Sequence, residues 1–230
     1  MTIRYIAFDL DDTLWACHPV IKRAEQHFYD WLKSYYPKIC QKYSADTLIQ
    51  HRTAFIHSHP ELSHDMTVLR KDWMRKLAEE VDYNIDDDFI ETGFNIFWQA
   101  RNEVTFFDGT LDILDDLSKR YSLGVISNGN ADVNHIGIGH LFNFILSSEK
   151  VGVAKPHPDI FHQAIKLSGV NANEIVYVGD DPKRDVLGAL SSGLHAIWFN
   201  PALQPWPGGR TPTDVIQHLN ELENKVQHIK

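Results

Sequence analysis

The stretch RYIAFDLDDTL, residues 4–14, decides the fold. Tyr5-Ile6-Ala7-Phe8 is a short apolar run that ends in acids at Asp9, Asp11 and Asp12. Such a run reads as a buried parallel strand, and the acids after it mark a carboxyl end that carries polar chemistry. Asp9 and Asp11 lie two apart, so in an extended segment their side chains project to the same side. Paired carboxylates can divide labour where their environments differ.

Outward from this strand the texture changes at Val20. VIKRAEQHFYDWLKSYY, residues 20–36, has apolar residues at helical spacing and stops at Pro37. Helical patterns recur over 46–57, 62–81 and 87–101, with no strand pattern between Trp15 and Arg101. This predicts a helical insert over residues 15–104 within a core of 1–14 and 105–230. From Thr110 helix and strand alternate: TLDILDDLSKR, YSLGVIS, FNFILSS, HPDIFHQAIKLSG, EIVYVGDD, DPKRDVLGALSSG and LHAIWFN. The order implies an α/β fold, a doubly wound parallel sheet with helices on both faces. Ligands of such sheets bind outside the carboxyl ends of the strands. NPALQPWPGGRTP, residues 200–212, reads as a surface loop before a last helix near Asp214–Glu223.

Polar residues follow four of these strands. After the first come Asp9, Asp11 and Thr13. After GVI comes Ser127-Asn128-Gly129-Asn130, whose hydroxyl, amide and backbone N–H groups suit phosphate oxygens. Lys155 stands in VGVAKPHPDIF, before a helix, and the fourth group is Gly179-Asp180-Asp181 with Asp185 beyond. Together these residue types answer one chemical problem. A phosphate monoester dianion repels an anionic nucleophile, and a divalent cation removes that repulsion. A lysine neutralises further charge, a Ser/Asn pair orients the group for in-line attack, and an acid protonates the leaving alkoxide.

The four motifs, in this order, resemble those of the haloacid dehalogenase superfamily, in the branch with a helical cap inserted after the first motif. FDLDDTL is similar to the family's DxDxT motif, ISN to its second motif, Lys155 to its third and GDDPKRD to its fourth. The resemblance implies a phosphatase using Mg2+. Asp9 would be nucleophile and metal ligand, and Asp11 the general acid and base with its carbonyl on the metal. Thr13 would fix the loop. Ser127 and Asn128 would bind the phosphoryl group, and Lys155 would pair with Asp9 and the phosphoryl charge. Asp180 would bind the metal and Asp185 would act from behind it. Asp181 would either share the metal or face solvent. A finer resemblance, in ISNGNA and VGDDPKRDVLGA, is to bacterial phosphatases of flavin mononucleotide and of the ribityl phosphate of riboflavin synthesis. It makes the partner a small phosphate ester, with Trp15, Phe28 or Trp31 as an aromatic wall for a flavin ring.

Other readings stand beside this one. A dehalogenase of the same fold needs neither a metal nor a leaving-group acid, and Asp11 speaks against it. A phosphorylation-switch receiver keeps its acyl phosphate, so an acid/base beside the acceptor and a long helical insert both argue against that class. A mutase differs only in what accepts the phosphoryl group. His51, His57, His59 and His64 crowd one segment, but without a cysteine or a regular His pair they read as a polar helical hairpin rather than a zinc site. Asp108 or Thr110 reads as helix-start chemistry.

Composition limits the partners. The 230 residues carry a net charge of −9, which offers no footing for nucleic acid or an anionic membrane. MTIRYIAFDL lacks a basic-then-apolar signal region, and no apolar stretch approaches the ~20 residues of a membrane span. Two cysteines outside any CxxC pair fit a reducing compartment. The expectation is a cytoplasmic enzyme, a monomer or small homo-oligomer.

Overall fold

The computed structural model describes residues 2–83 and 87–229. The chain forms two compact units, Met1–Ala16 with Thr105–Lys230, and Cys17–Val104. Strand β1 (Tyr5–Phe8) begins the first unit, and helices α1 (Cys17–Tyr35), α2 (Pro37–Lys42), α3 (Ala45–Ser58), α4 (Met66–Glu79) and α5 (Asp87–Arg101) make the second. The first unit resumes with α6 (Thr110–Ser118), β2 (Ser122–Ser127), α7 (Val133–Ile136), β3 (Phe144–Ser147), α8 (Ser148–Val151) and α9 (Pro158–Ser168). It ends with β4 (Ile175–Gly179), α10 (Gly188–Ser191), β5 (His195–Phe199), β6 (Asp214–Ile216) and α11 (Leu222–Gln227).

The strands form one parallel sheet in the order β3-β2-β1-β4-β5-β6. β1 is central and every residue in it is buried, which is why its sequence is a continuous apolar run rather than an alternating one. Gly124 lies where a Cβ would come within 2.2 Å of the Phe144 ring. Only glycine lets that ring lie across β2, where it stacks on Tyr5. The reversal of strand order beside β1 brings the ends of β1, β2 and β4 together, where such sheets hold their ligands.

In the helical unit, Val20, Ala24, Phe28 and Leu32 form the buried stripe of α1, at the spacing an amphipathic helix requires. They pack with Trp73, Met74, Leu77, Phe89 and Phe97. Burying each of the larger of these side chains is worth about 1.5–3 kcal/mol. α1 ends before Pro37, which disfavours a helical residue ahead of it. Ser44 and Asp65 cap α3 and α4 by accepting from the N–H groups of Thr47 and Val68. No helix among the described residues is long and apolar enough to cross a membrane.

Several expectations are corrected. Residues 214–216 form an edge strand, not a helix, because Val215 and Ile216 find an open ladder on β5. Asn200 N–H donates to Ile216 O at 2.8 Å, and Thr213 N–H to Ala196 O at 2.8 Å. A β-branched pair beside a vacant edge takes the strand state despite helical periodicity. The segment after Gly179 is a wide π turn, Pro182–Leu187, before the short α10. α4 starts at its Asp65 cap rather than at Leu62, which lies in a separate 3-10 turn. The start of α6 is capped by Gly109 at φ 75°, not by the side chain of Asp108 or Thr110. The histidine segment also has other partners. His51 Nδ1 accepts from Trp73 Nε1 at 2.9 Å while its Nε2 faces Glu80 at 3.3 Å. His59 and His64 bond to the carbonyls of Phe55 and Glu61.

Candidate active site

Asp9 leaves β1 with its N–H still donating to Val178 O at 2.9 Å, so its backbone is held by the sheet. The chain then turns tightly. Thr13 and Leu14 N–H both donate to Leu10 O, and Asp12 sits in the left-handed region at φ 59°. Asp9 thus stays in line with the sheet, and Asp11 stands just before the turn over residues 12–14, bridged to Trp15. Asp9 is buried while Asp11 is half-buried. Unequal environments are what a division of labour between two acids requires.

Lys155 lies behind Asp9. Its Nζ donates to Asp9 Oδ1, Tyr177 Oη and Asp185 Oδ1, each at 2.7 Å. Three acceptors take the three protons of one ammonium group. Tyr177 was not singled out from the sequence. It is fully buried in β4, and its hydroxyl donates to Ile126 O at 2.9 Å, tying β4 to β2 one residue before Ser127. The available signal was a tyrosine inside the aliphatic run IVYVG, because a hydroxyl buried at that depth needs a partner.

Asp185 folds back against Gly179, where a Cβ would lie 2.5 Å from its carboxylate. Only glycine leaves that space. Besides Lys155, Asp185 accepts from Asp181 N–H at 3.0 Å and faces the Tyr177 hydroxyl at 3.3 Å. Asp180 accepts from the Thr13 hydroxyl at 3.4 Å, and its own carbonyl accepts from Trp198 Nε1 at 2.7 Å. The first of these bonds joins the first and fourth motifs, and the second ties Asp180 to β5.

Some expected residues do different work. The Asn128 side chain clamps the Lys155 backbone, accepting from its N–H at 2.8 Å and donating to its carbonyl at 3.0 Å. What Asn128 can offer a phosphoryl group is its backbone N–H. Ser127 Oγ accepts from Gly129 N–H at 3.0 Å, which leaves the hydroxyl proton to donate. Asp181 is an N-cap, accepting from Lys183 and Arg184 N–H and from Arg184 Nε. Burial works against its charge, but those bonds and the guanidinium hold its carboxyl below the usual carboxylate range. Trp15 is fully buried and Phe28 lies inside the helical unit's core, with Trp31 packed on Phe28, Tyr36 and Phe89. Trp15 and Phe28 are therefore closed off, and Trp31 is half-buried against the same core as Phe28.

The electrostatics favour a cation. Asp9, Asp180 and Asp185 each bring a carboxylate oxygen within 4.8 Å of the others. Burial, opposed by Lys155 and reinforced by Asp185 and Asp11, pushes Asp9 up to about 8. Burial, with Asp185 and Asp12, pushes Asp180 up to about 7. One ammonium does not balance this many buried acids, even though Asp185 and Asp9 raise the Lys155 pKa against its own burial. A hard divalent cation with oxygen ligands is the group that fits. Asp185 already accepts on both oxygens, so Asp9 and Asp180 are the carboxylates placed to meet it.

Residues 3–193 match the model of a haloacid dehalogenase-like hydrolase. The chain is 31% identical to the 5-amino-6-(5-phospho-D-ribitylamino)uracil phosphatase YigB of Escherichia coli, over 97% of this chain and 96% of that one. It is also 31% identical to the E. coli pyrimidine 5'-nucleotidase YjjG, over 55% of this chain and 60% of that one. Among solved structures, a 2-haloacid dehalogenase from Pseudomonas syringae superposes with a TM-score of 0.91 at 34% identity, covering 98% of this chain and 99% of that one. The magnesium-bound YfnB of Bacillus subtilis shares the fold at a TM-score of 0.72 and 19% identity, over 99% and 100% of the two chains. With its motifs gathered at the ends of β1, β2 and β4 and the family model matched over most of its length, the chain belongs to the haloacid dehalogenase-like hydrolases.

Proposed function

We propose that this hydrolase is a magnesium-dependent phosphatase that moves the phosphoryl group of a small phosphomonoester to Asp9 and then to water. The observation that carries the reading is the pairing of a buried, lysine-bonded Asp9 with a second, more exposed acid at Asp11.

Asp9 attacks phosphorus through a carboxylate whose orientation Lys155 fixes by a 2.7 Å bond. The P–O ester bond breaks as the new Asp9–phosphorus bond forms, and Asp11 gives its proton to the departing alkoxide. Water then attacks phosphorus, Asp11 takes its proton back, and Asp9 is released with inorganic phosphate. Ser127 Oγ–H and the backbone N–H groups after β2 hold the equatorial oxygens in line. Asp9, Asp180 and the Asp11 carbonyl would hold the magnesium ion, whose charge offsets the repulsion between carboxylate and phosphate. Asp185 and Tyr177 keep Lys155 aimed at Asp9.

For the substrate, the leading candidates are a ribityl phosphate and flavin mononucleotide. They are favoured by the YigB relative, which aligns over nearly the whole chain, and by the second- and fourth-motif sequences. A 2-haloacid dehalogenase is the second reading, favoured by the likeness to the P. syringae protein. Ester cleavage needs a proton donor for a poor leaving group and halide departure does not, so Asp11 weighs toward the phosphatase. Two free thiols fit a cytoplasmic enzyme.

The test is a panel of flavin mononucleotide, ribityl and sugar phosphates, nucleotides and 2-chloropropionate, with magnesium and with a chelator. Magnesium-dependent phosphate release, absent in Asp9→Asn and weakened in Asp180→Ala, is expected. Chloride release without metal and no phosphate release would overturn the reading.

A further inference from the structure

We infer that Trp15 is a positioning residue for the acid/base Asp11, and so sets how poor a leaving group the enzyme can expel. The inference rests on the phosphatase reading above.

The motivating geometry is a closed turn. Asp12 N–H donates to Trp15 O at 2.7 Å, and Asp11 and Trp15 form a backbone bridge with each other. The turn returns the indole beneath the carboxylate, where Trp15 Nε1 donates to Asp11 Oδ1 at 3.0 Å. The ring itself cannot wander. Trp15 is 0% exposed, bridges to Phe106 through its backbone and meets the Phe106 ring edge-on at 5.7 Å. Phe107 N–H donates to Leu14 O at 3.0 Å, pinning the same strand of chain from the other side.

Asp11 is the half-buried member of the acid pair and lies beyond β1, next to the turn over residues 12–14. A short carboxylate on a turn keeps a productive direction only if something rigid holds one end. The indole supplies a fixed donor at low entropic cost, since Trp15 is already locked by packing. While the P–O ester bond breaks, the proton passes from the Asp11 carboxyl to the leaving oxygen. A carboxyl clamped by Trp15 delivers it along a set direction. An ester whose alkoxide is a strong base depends on that delivery, and an aryl ester with a stable phenolate barely does.

The test uses Trp15→Phe in the whole chain, which keeps an aromatic ring and deletes the donor. Single-turnover phosphoryl transfer is measured with magnesium on an alkyl phosphate and on p-nitrophenyl phosphate, with Asp11→Ala in parallel. The alkyl ester should slow about tenfold and the aryl ester by less than about twofold. A purely structural role for Trp15 would slow both equally, and that result overturns the inference. If Trp15→Phe does not fold by circular dichroism, Phe106→Leu loosens the indole without removing its N–H. It must then show the same split in smaller measure, and equal losses there also reject the inference. A flat leaving-group response in Asp11→Ala would instead reject the acid role of Asp11. A steep response there with a flat one in the Trp15 variant rejects Trp15 alone.

Discussion

Each unit of the protein buries a cluster of charges, and the two clusters are built to opposite ends. In the α/β unit one ammonium, Lys155, serves Asp9 and Asp185 with Asp180 nearby, so acids are in surplus. In the helical unit one carboxylate, Glu25, serves the guanidinium groups of Arg70 and Arg52, so bases are in surplus. The helical cluster is closed by packing. Arg70 lies over Phe97, its Cζ 3.3 Å from the ring centroid, and is 5% exposed. Burial and the like charge of Arg52 draw Arg70 down to about 10 against the pull of Glu25, yet it stays charged at neutral pH. In the α/β cluster burial pushes Asp9 up to about 8 and Asp180 to about 7. Those carboxylates are poised between protonation states in the range where an enzyme works. Buried charge of the first kind joins helices, and buried charge of the second kind leaves acids unbalanced at the strand ends.

The largest effect that would break this contrast is on turnover. Asp9→Asn should lower phosphatase activity by about a thousandfold or more, because an amide is no anionic nucleophile. Its melting temperature should not fall, since the change removes a buried charge in surplus. Near wild-type hydrolysis of p-nitrophenyl phosphate by folded Asp9→Asn would erase the distinction between the clusters.

Glu25→Gln should do the reverse. It strands the buried guanidinium of Arg70 and the half-buried one of Arg52, and removing one partner of a buried ion pair typically costs about 3–5 kcal/mol. Urea denaturation should show that loss, while the folded fraction keeps its phosphoryl-transfer rate. Unchanged stability would mean that the cluster is held by packing on Phe97 rather than by charge.

Tyr177→Phe sharpens the picture within the α/β unit. It deletes one of three acceptors around Lys155 and removes the hydroxyl donor to Ile126 O. The expected fall in kcat is about tenfold, the equivalent of one hydrogen bond to a charged group, with KM little changed. A raised KM with unaltered kcat would place Tyr177 in substrate binding instead.

The smallest effect is on the pH dependence of stability. Asp9 and Asp180 have folded pKa values above their ordinary 3.8. Between about pH 4 and pH 8 these two carboxyls therefore hold more protons in the folded chain than in the unfolded one, and the stability they contribute falls as pH rises through that window. With chelator present, the melting temperature should decline from pH 5 to pH 8. Magnesium should raise it more at pH 8 than at pH 5, since ligand carboxylates must be ionised to bind. Asp180→Asn should flatten the decline. A chelated wild-type protein whose stability rises across the same window would contradict the surplus of buried acids.

What the sequence determined by itself is the framework and the chemistry at its strand ends. Apolar runs buried on both faces, each followed by a polar cluster, specify a parallel sheet and a site at its carboxyl edge, because those patterns are local and their physics is local. Asp9, Lys155, Asp180 and Asp185 meet there. The tertiary structure alone decided which atoms are already committed. Asn128 gives its amide to the Lys155 backbone, 27 residues away in sequence. Tyr177 joins β4 to β2 across 51 residues. Trp15 turns its indole onto Asp11. Residues 214–216 become a strand only because β5 presents an open edge. In each case the deciding partner is remote in sequence or fixed by a turn, and a buried polar group takes whichever partner the fold brings within hydrogen-bond reach.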